Sequence, residues 1–287
     1  MADIHPKKSL GQHWLHDEAS LYAMCDAANI SAGDTVLEVG PGLGTLTARL
    51  LTRGAKVTAV EFDPELAKNL TRNISSLLSG HETKIELLDN KTPRGIAGPW
   101  ADNDLLIVNK DILAFDFRDL PARYKVCANI PYYLTSHLIR LLGESVNPPQ
   151  TAVLLVQKEV AERVCAQPGQ MSILAATTQY FFSCRLDRVV PAQLFTPPPK
   201  VDSQILVLER HAQPLFAVDT KQFFRLIKVG FSEKRKTLRN TLSSGYGIDK
   251  ERCVELITSA GLSPNARPQE LALEQWKSLF DVIQENA

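Results

Sequence analysis

The chain contains few cysteines and no sequence pattern that would join them. Its 5 cysteines are scattered among 287 residues, and no Cys-x-x-Cys pair occurs. Disulfide frameworks and zinc clusters place cysteines at short, regular spacings, so neither is predicted. This use of cysteine is typical of a reducing compartment, and we expect a cytoplasmic protein without a bound metal.

Long apolar runs and a net charge are absent as well. No stretch stays apolar long enough to span a bilayer, and Met1–Ser20 lacks the apolar core of a secretion signal. We therefore expect no association with membranes. Lysine and arginine number 32, as do aspartate and glutamate, so the formal charge is zero. This average argues against a generally basic nucleic-acid binder, although averages conceal local patches.

What the sequence does contain is an alternation of strand and helix patterns. The predicted strands are 35–39, 56–61, 105–108, 125–128, 152–156 and 201–208, and helical spacings follow from Leu46 towards Gly54 and over Pro64–Leu78. Strand–helix–strand units of this length predict an α/β fold with a parallel, doubly wound sheet. Residues 79–104, with one apolar cluster at 85–88, are interpreted as an extended connection on the surface.

The pattern changes near residue 211. Beyond this point it is wholly helical, and Pro214, Pro264 and Pro268 separate the helices. We predict an α/β domain over residues 1–211 and a small all-α domain over residues 212–287.

A glycine turn marks the first candidate site. Gly40, Gly42 and Gly44 follow the strand 35–39, and Glu61 ends the next strand, where its carboxylate is suited to accept from ribose hydroxyls. The Gly-x-Gly-x-Gly spacing differs from that of dinucleotide enzymes and favours S-adenosylmethionine, which has no phosphate to bind. A tight turn without a ligand is the alternative. The turn alone does not separate a methyltransferase from a dehydrogenase.

A second motif favours methyl transfer to an aromatic amine. Asn129-Ile130-Pro131-Tyr132 follows the strand 125–128, and the proline fixes the backbone there. An exocyclic amine is a poor nucleophile because its lone pair is delocalised into the ring. An Asn oxygen and a main-chain carbonyl that accept both amine hydrogens would aim that lone pair at a methyl donor, with Tyr132 stacked on the base. A common Asn-Pro turn with a surface tyrosine is the alternative.

Two further residues have both a functional and an ordinary interpretation. Asp111 follows the strand 105–108 and is suited to accept from a cofactor's adenine amine, or it is a loop or cap aspartate. Phe195 precedes three prolines and would supply a second stacking face for a base, or it is a core phenylalanine.

Residues 221–240 form a basic segment that the neutral average conceals. The segment has a single acid, Glu233, and its basic residues are Lys221, Arg225, Lys228, Lys234, Arg235, Lys236 and Arg239. In one continuous helix most of them would share a face, whereas a break at Gly230 or Ser232 would divide them between two helices. A solvated charged face is the ordinary interpretation. Charge of one sign beside a base-handling pocket favours contact with RNA phosphates.

Taken together, the motifs resemble a known family. They occur in the order KSLGQHWL, VLEVGPGLGTLT, VEFDPEL, NIPYYLTS, VLLVQKEVAERV, VPAQLFTPPPKVDS and KVGFSEKRKTLRN. This set resembles the KsgA-type ribosomal RNA adenine dimethyltransferases. The resemblance implies a Rossmann-like domain with a small helical C-terminal domain, and two methyl transfers to N6 of each of two adjacent adenosines near the 3′ end of small-subunit rRNA.

The resemblance also implies ligands and residue roles. It implies S-adenosylmethionine as cofactor, S-adenosylhomocysteine as its product, and rRNA of the assembling small ribosomal subunit as partner; we expect a monomer. The implied cofactor contacts are His13, Leu15, Gly40, Glu61, Asp111 and Asn129, to which the glycine turn adds Gly42. The implied target-base residues are Asn129, Ile130, Pro131, Tyr132 and Phe195.

Several positions depart from the family pattern. Trp14 stands where phenylalanine is usual, Lys110 replaces a small residue, Ala192 replaces a proline, Gln170 replaces an arginine, and Glu233 introduces an acid into the basic segment. The Gln170 exchange puts one expected RNA contact in doubt.

Three other functions are considered. An antibiotic-resistance-type methyltransferase of large-subunit rRNA is disfavoured by the KRKTLRN segment and the long C-terminal region. A non-catalytic ribosome-assembly factor is disfavoured by the presence of Glu61, Asp111 and the NIPY motif. A nicotinamide dehydrogenase is disfavoured by the glycine spacing.

Overall fold

The computed structural model describes residues 5–79, 82–88, 103–213, 215–233 and 235–286. The chain forms two compact units, one containing Met1–Ala161 and Cys184–Arg210, the other containing Glu162–Ser183 and His211–Ala287. None of the helices in these ranges is both long and apolar enough to cross a bilayer.

The strands carry most of the predicted architecture. In chain order they are Trp14–Leu15 (β1), Thr35–Val39 (β2), Lys56–Glu61 (β3), Ile85–Leu88 (β4), Leu105–Asn109 (β5), Lys125–Asn129 (β6), Thr151–Gln157 (β7), Phe182–Val190 (β8), Phe195–Thr196 (β9) and Ser203–Arg210 (β10). The predictions for β2, β3, β5, β6 and β7 are confirmed to within one residue at each end.

One sheet of eight strands has the order β4-β5-β3-β2-β6-β7-β10-β8. Strands β2, β3, β4, β5, β6 and β7 pair in parallel, and β10 pairs antiparallel with β7. The central strands are almost continuously apolar and buried, as expected for a sheet covered on both faces. The predicted α/β class is confirmed.

Two helices of the first unit, those after β2 and β3, were predicted from the sequence and are present. The helices of this unit are Glu18–Ala27 (α1), Thr45–Thr52 (α2), Pro64–Leu77 (α3) and Thr135–Glu144 (α4). Lys158–Val164 (α5) follows β7 directly and continues from the first unit into the second. Asp63 caps α3 by accepting from the Glu65 main-chain N–H, and a proline occupies the first turn. Buried apolar side chains of α1, α2 and α3 share a core with the sheet.

The interpretation of residues 79–104 as a connection was wrong at Ile85–Leu88. This segment is β4, whose Ile85 pairs with Leu105 and whose Leu88 pairs with Val108. The run is short and lies at the sheet edge, where Leu87 is exposed. Its strand character therefore comes from pairing with β5 more than from a local pattern. Residues 80–81 and 89–102 lie outside the described residues.

The N-terminal segment is held by a small ladder of its own. Strand β1 pairs antiparallel with β9, with Trp14 opposite Thr196 and Leu15 opposite Phe195. The main-chain carbonyl of Leu15 also accepts from the Thr45 hydroxyl at 3.0 Å. These bonds fix the residues that precede α1 beside the start of α2.

The second unit is built from helices around an aromatic core. Its helices are Ile173–Phe181 (α6), Thr220–Gly230 (α7), Leu238–Tyr246 (α8), Lys250–Ser259 (α9) and Leu273–Glu285 (α10). Tyr180 and Phe181 of α6 contact Phe224 of α7 edge-on, and the Tyr180 hydroxyl donates to the Phe216 carbonyl at 3.1 Å. Residues 162–183 therefore belong to this unit, which departs from the single boundary expected near residue 211. A boundary based on composition does not detect such a return of the chain.

Candidate active site

The predicted cofactor residues meet at one edge of the sheet. Gly40, Asp111 and the side chains of Glu61 and Asn129 lie at or just beyond the ends of β2, β5, β3 and β6. Because these strands are parallel, their carboxyl ends share an edge, and a cavity opens there. Its lining includes Gln12, His13, Trp14, Leu15, Glu38, Gly40, Gly42, Glu61, Phe62, Lys110, Asp111, Leu113, Asn129, Ile130, Pro131, Tyr132 and Tyr133.

Two glycines shape the floor of this cavity. Gly40 and Gly42 have φ angles of +67° and +56°, which side chains rarely adopt. A Cβ at position 40 would meet no atom of the described residues within 4 Å, so it would project into open space. A Cβ at position 42 would lie 3.3 Å from the Trp14 ring. Glycine at these positions leaves the cavity free for a ligand beside the turn.

Glu61 is bound to the glycine turn itself. Its carboxylate accepts from the main-chain N–H of Gly42 at 3.1 Å and from that of Asp63 at 2.9 Å. Burial raises the pKa of the Glu61 carboxyl, and these two main-chain donors oppose that rise. Each carboxylate oxygen can accept more than one bond, so Glu61 retains capacity for ligand hydroxyls.

Glu38 is a buried acid that the sequence analysis did not select. It is the fourth of the five residues of β2, is 1% exposed and lines the cavity. Burial raises the pKa of its carboxyl to about 8; interaction with Thr47 opposes this rise, and Glu61 nearby adds to it. Its Oε2 has no hydrogen-bond partner in the described part of the chain. An acid within the apolar run TVLEV was the signal that could have found it.

Asn129 is oriented by the N-terminal segment. Its side-chain nitrogen donates to the main-chain carbonyl of His13 at 3.1 Å. The His13 ring nitrogen Nδ1 in turn donates to the Pro197 carbonyl at 2.7 Å. Since the amide nitrogen is engaged, the Asn129 oxygen is the group presented as an acceptor.

Tyr132 is held at both ends of its side chain. Its ring stacks on the His13 ring with centroids 5.9 Å apart and an interplanar angle of 22°. Its hydroxyl is hydrogen-bonded to the buried Ser203 hydroxyl at 2.8 Å. Nothing in the sequence around Ser203 indicated this contact. The neighbouring Tyr133 is 64% exposed and also lines the cavity.

Asp111 caps a turn and also lines the cavity, so its role as a cofactor contact stays a prediction. It caps a short turn of helix over Ile112–Ala114 by accepting from the Leu113 main-chain N–H at 2.9 Å. It also lines the cavity, where it remains exposed. The cap uses one carboxylate oxygen and leaves the other for a ligand.

Phe195 is not brought to the cavity with the other predicted base contacts. It is 3% exposed and packs in the core of the first unit, opposite Leu15 in the β1–β9 ladder. This position matches the ordinary interpretation of a core phenylalanine, and its stacking role stays a prediction.

The basic segment of the second unit is divided between two helices. Lys221, Arg225 and Lys228 are exposed on α7, which ends at Gly230, and α8 begins only at Leu238. A Cβ at Gly230 would lie 2.3 Å from Trp276, so close helix packing accounts for the glycine where α7 ends. Of the two arrangements considered for this segment, the break at Gly230 is therefore the one observed.

The remaining basic residues lie between those helices or at the start of the second. Arg235 and Lys236 are exposed, and Lys236 forms an ion pair of 2.8 Å with Glu233. Arg239 lies on α8 and is partly buried. Lys234 lies outside the described residues.

A family model described as ribosomal RNA adenine dimethylase matches residues 4–93 and 95–285. The chain belongs to the ribosomal RNA adenine dimethylase family. The resemblance predicted from its motifs is therefore confirmed.

Relatives of this adenine dimethylase family member match over nearly its whole length. A ribosomal RNA small subunit methyltransferase A of Dehalococcoides mccartyi is 36% identical over 99% of this chain and 90% of its own. The protein of that name from Lactobacillus delbrueckii is 37% identical over 98% of this chain and 92% of its own.

Solved structures place the family member among rRNA methyltransferase folds. The 23S rRNA methyltransferase ErmE is 26% identical, with a TM-score of 0.69 over 94% of this chain and 99% of that protein. A dimethyladenosine transferase from Plasmodium falciparum is 24% identical, with a TM-score of 0.74 over 95% of this chain and 98% of that protein. The second likeness concerns the fold alone.

Proposed function

We propose that the protein transfers methyl groups from S-adenosylmethionine to N6 of two adjacent adenosines near the 3′ end of small-subunit rRNA. It acts as a cytoplasmic monomer on the assembling subunit. The observation that carries this proposal is the oriented amide of Asn129 at the mouth of the cavity, in a chain whose relatives are named for the small subunit.

The cavity fits S-adenosylmethionine in the chemistry of its lining. The glycine turn leaves open space beside Gly40, and Glu61 and Asp111 supply acceptors for ribose hydroxyls and for an adenine amine. Phe62 and Leu113, both exposed apolar side chains in the lining, suit the faces of an adenine ring. When bound, S-adenosylmethionine supplies a methyl group on a cationic sulfur that needs no further activation.

The chain's own task is to prepare the nucleophile. The Asn129 side-chain oxygen and the Ile130 carbonyl accept the two hydrogens of the adenine amine and orient its lone pair. Tyr132, fixed by His13 and Ser203, stacks on the base. No strong base is required, because the proton leaves after the amine has become cationic. The second methylation requires the same site to accept a monomethylated amine.

The exposed basic residues of the second unit supply contacts to RNA phosphates. Lys221, Arg225 and Lys228 project from α7, and Arg235 and Lys236 follow it. Such contacts position an RNA without reading its sequence, and they weaken as salt rises.

Methyl transfer to isolated subunits tests the proposal. Purified protein is incubated with S-adenosylmethionine labelled in the methyl group and with undermethylated small or large subunits. We expect label in the small subunit, at N6,N6-dimethyladenosine in a nuclease digest. Asn129→Ala should remove the label, whereas Asn69→Ala, on α3 and outside the cavity lining, should not.

Action on the large subunit is the second candidate, since the likeness to ErmE covers nearly the whole chain. Label in the large subunit alone would replace the proposed substrate with this one. Absence of label from both subunits, in a protein that binds them, would support a non-catalytic assembly factor instead.

A further inference from the structure

Trp14 carries a polar atom that the fold leaves unused. Its indole nitrogen Nε1 is buried and has no hydrogen-bond partner within the ranges that the structure describes. Trp14 is one of the residues that line the cavity. Buried tryptophan N–H groups usually have a partner, and an N–H left without one costs free energy. A ligand acceptor in the cavity would remove that cost.

The position of the ring restricts which part of a ligand it can reach. The Trp14 atoms Cδ1 and Nε1 each lie 3.3 Å from the place where a Cβ on Gly42 would stand. The indole edge that carries the N–H therefore rests on the glycine turn. Helix α2 begins directly beyond, and its cap residue Gly44 has no side chain to bind the first main-chain donors. Helix starts of this kind favour negative charge.

A second unpartnered atom has the opposite hydrogen-bonding character. Glu38 Oε2 is buried, has no partner among the described residues and belongs to a residue of the same cavity lining. The indole nitrogen is a donor only, whereas a carboxyl group keeps an accepting oxygen whether or not it carries a proton. An α-amino acid group carries a carboxylate, which needs donors, and an ammonium, which needs acceptors. The lining thus matches that group, while Glu61 and Asp111 suit a nucleoside.

We propose that Trp14 is a cofactor-binding residue whose indole N–H donates a hydrogen bond to the carboxylate of the amino acid portion of S-adenosylmethionine. This inference rests on the proposed function, because it assumes that cofactor. It adds a donor that phenylalanine, the residue of the family pattern at this position, does not have. It also accounts for a buried N–H that the fold itself leaves without a partner.

Binding measurements on a pair of ligands test this assignment without recourse to activity. S-adenosylmethionine and its decarboxylated form differ only by the carboxylate. Their affinities are measured for the wild type and for Trp14→Phe by competition against labelled S-adenosylhomocysteine. Trp14→Phe keeps an apolar ring and removes the donor. A second variant carries β-(3-benzothienyl)alanine at position 14, which keeps the shape of indole and replaces its N–H by sulfur.

We expect both variants to lose about tenfold or more in affinity for S-adenosylmethionine, because a hydrogen bond to its charged carboxylate is lost. Their affinity for the decarboxylated form, which lacks that carboxylate, should fall by less than about twofold. Equal losses for both ligands would mean that the ring only shapes the cavity, and no loss would mean that the N–H is not used. Either result would overturn the assignment of Trp14 alone. A wild-type protein that bound neither ligand would instead refute the proposed function.

Discussion

The side-chain nitrogen of Asn129 donates to the main-chain carbonyl of His13, at 3.1 Å and across 116 positions of sequence. This bond decides which end of the amide faces the cavity. An Asn turned the other way would present a donor to an amine that also donates, and the amine's lone pair would not be aimed. In the proposed mechanism the N-terminal segment therefore orients a catalytic side chain, in addition to forming a wall of the cavity.

The first prediction concerns Asn129 itself. Asn129→Ala removes the acceptor, and Asn129→Asp keeps an acceptor but places a carboxylate oxygen against the His13 carbonyl. We expect kcat/KM for methyl transfer to fall by about 100-fold or more in both variants, as when other transition-state hydrogen bonds are removed. Affinity for undermethylated small subunits, measured by filter binding, should stay within about twofold. Unchanged turnover in Asn129→Ala would refute the mechanism.

Tyr132 and Ser203 lead to a second prediction, since their hydroxyls are 2.8 Å apart. Tyr132→Phe and Ser203→Ala each remove this anchor and keep the stacking ring. We expect either to lower kcat/KM by about threefold to tenfold, and the double variant to be no worse than the single ones, because one interaction is lost in all three. Tyr132→Ala should cost more, since it also removes the ring. Additive losses in the double variant would show that the two residues act separately.

Glu38 leads to a prediction about pH and stability. Burial raises the pKa of its carboxyl from 4.5 to about 8, and the nearby Glu61 also raises it. The folded state therefore keeps a proton that the unfolded chain releases as pH rises above 4.5. This proton stabilises the fold fully at low pH, and that contribution is lost as pH rises towards 8. The buried thiols of Cys25 and Cys127 are close enough to interact with the same charge.

Glu38→Gln removes this titration. Measured by denaturant unfolding without ligand, the free energy of unfolding of the variant relative to wild type should rise by up to ~1.4 kcal/mol per pH unit between pH 5 and pH 8, the limit for one proton. Glu251→Gln on the exposed surface of α9 is the control and should follow the wild type. Parallel curves for Glu38→Gln and wild type would contradict a protonated Glu38.

The sequence was sufficient to predict most of this site because parallel strands bring their carboxyl ends together. Gly40, Glu61, Asp111 and Asn129 lie far apart in the chain, yet each follows or ends a strand of the sheet, so their meeting follows from the strand pattern. The same reasoning does not reach Ser203. It lies at the start of β10, and its contact with Tyr132 depends on side-chain packing.

Other features depend on tertiary contacts that the local sequence pattern does not predict. Phe195 is aromatic and stands just before three prolines, which suggested a base-stacking role. Its burial opposite Leu15 follows only from the β1–β9 ladder. Strand β4 depends on its pairing with β5. The association of α6 with the C-terminal helices depends on Tyr180, whose ring contacts three phenylalanines beyond α6, namely Phe216, Phe223 and Phe224.

A further prediction concerns the exposed lysines of α7. Lys221→Gln and Lys228→Gln each remove one charge from the surface proposed to contact RNA phosphates. We expect weaker binding to small subunits at low salt, and a slope of log affinity against log salt that falls by about one for each lysine removed. Lys250→Gln, at an exposed position on α9, is the matched control and should leave the slope unchanged. Equal effects from all three would mean that only net charge matters.

Glu233 allows the opposite change to be made within the same segment. Its carboxylate pairs with Lys236 at 2.8 Å, so part of the positive charge counted from the sequence is already neutralised. Glu233→Gln removes the negative charge and frees the lysine for phosphate. We expect binding to small subunits to become about twofold to fourfold tighter at low salt, and this gain to disappear at high salt because the interaction is screened. Glu251→Gln, which changes the net charge equally but lies on α9, separates the local effect from the general one. If Glu251→Gln tightened binding as much as Glu233→Gln, the segment around Lys236 would not be the contact surface.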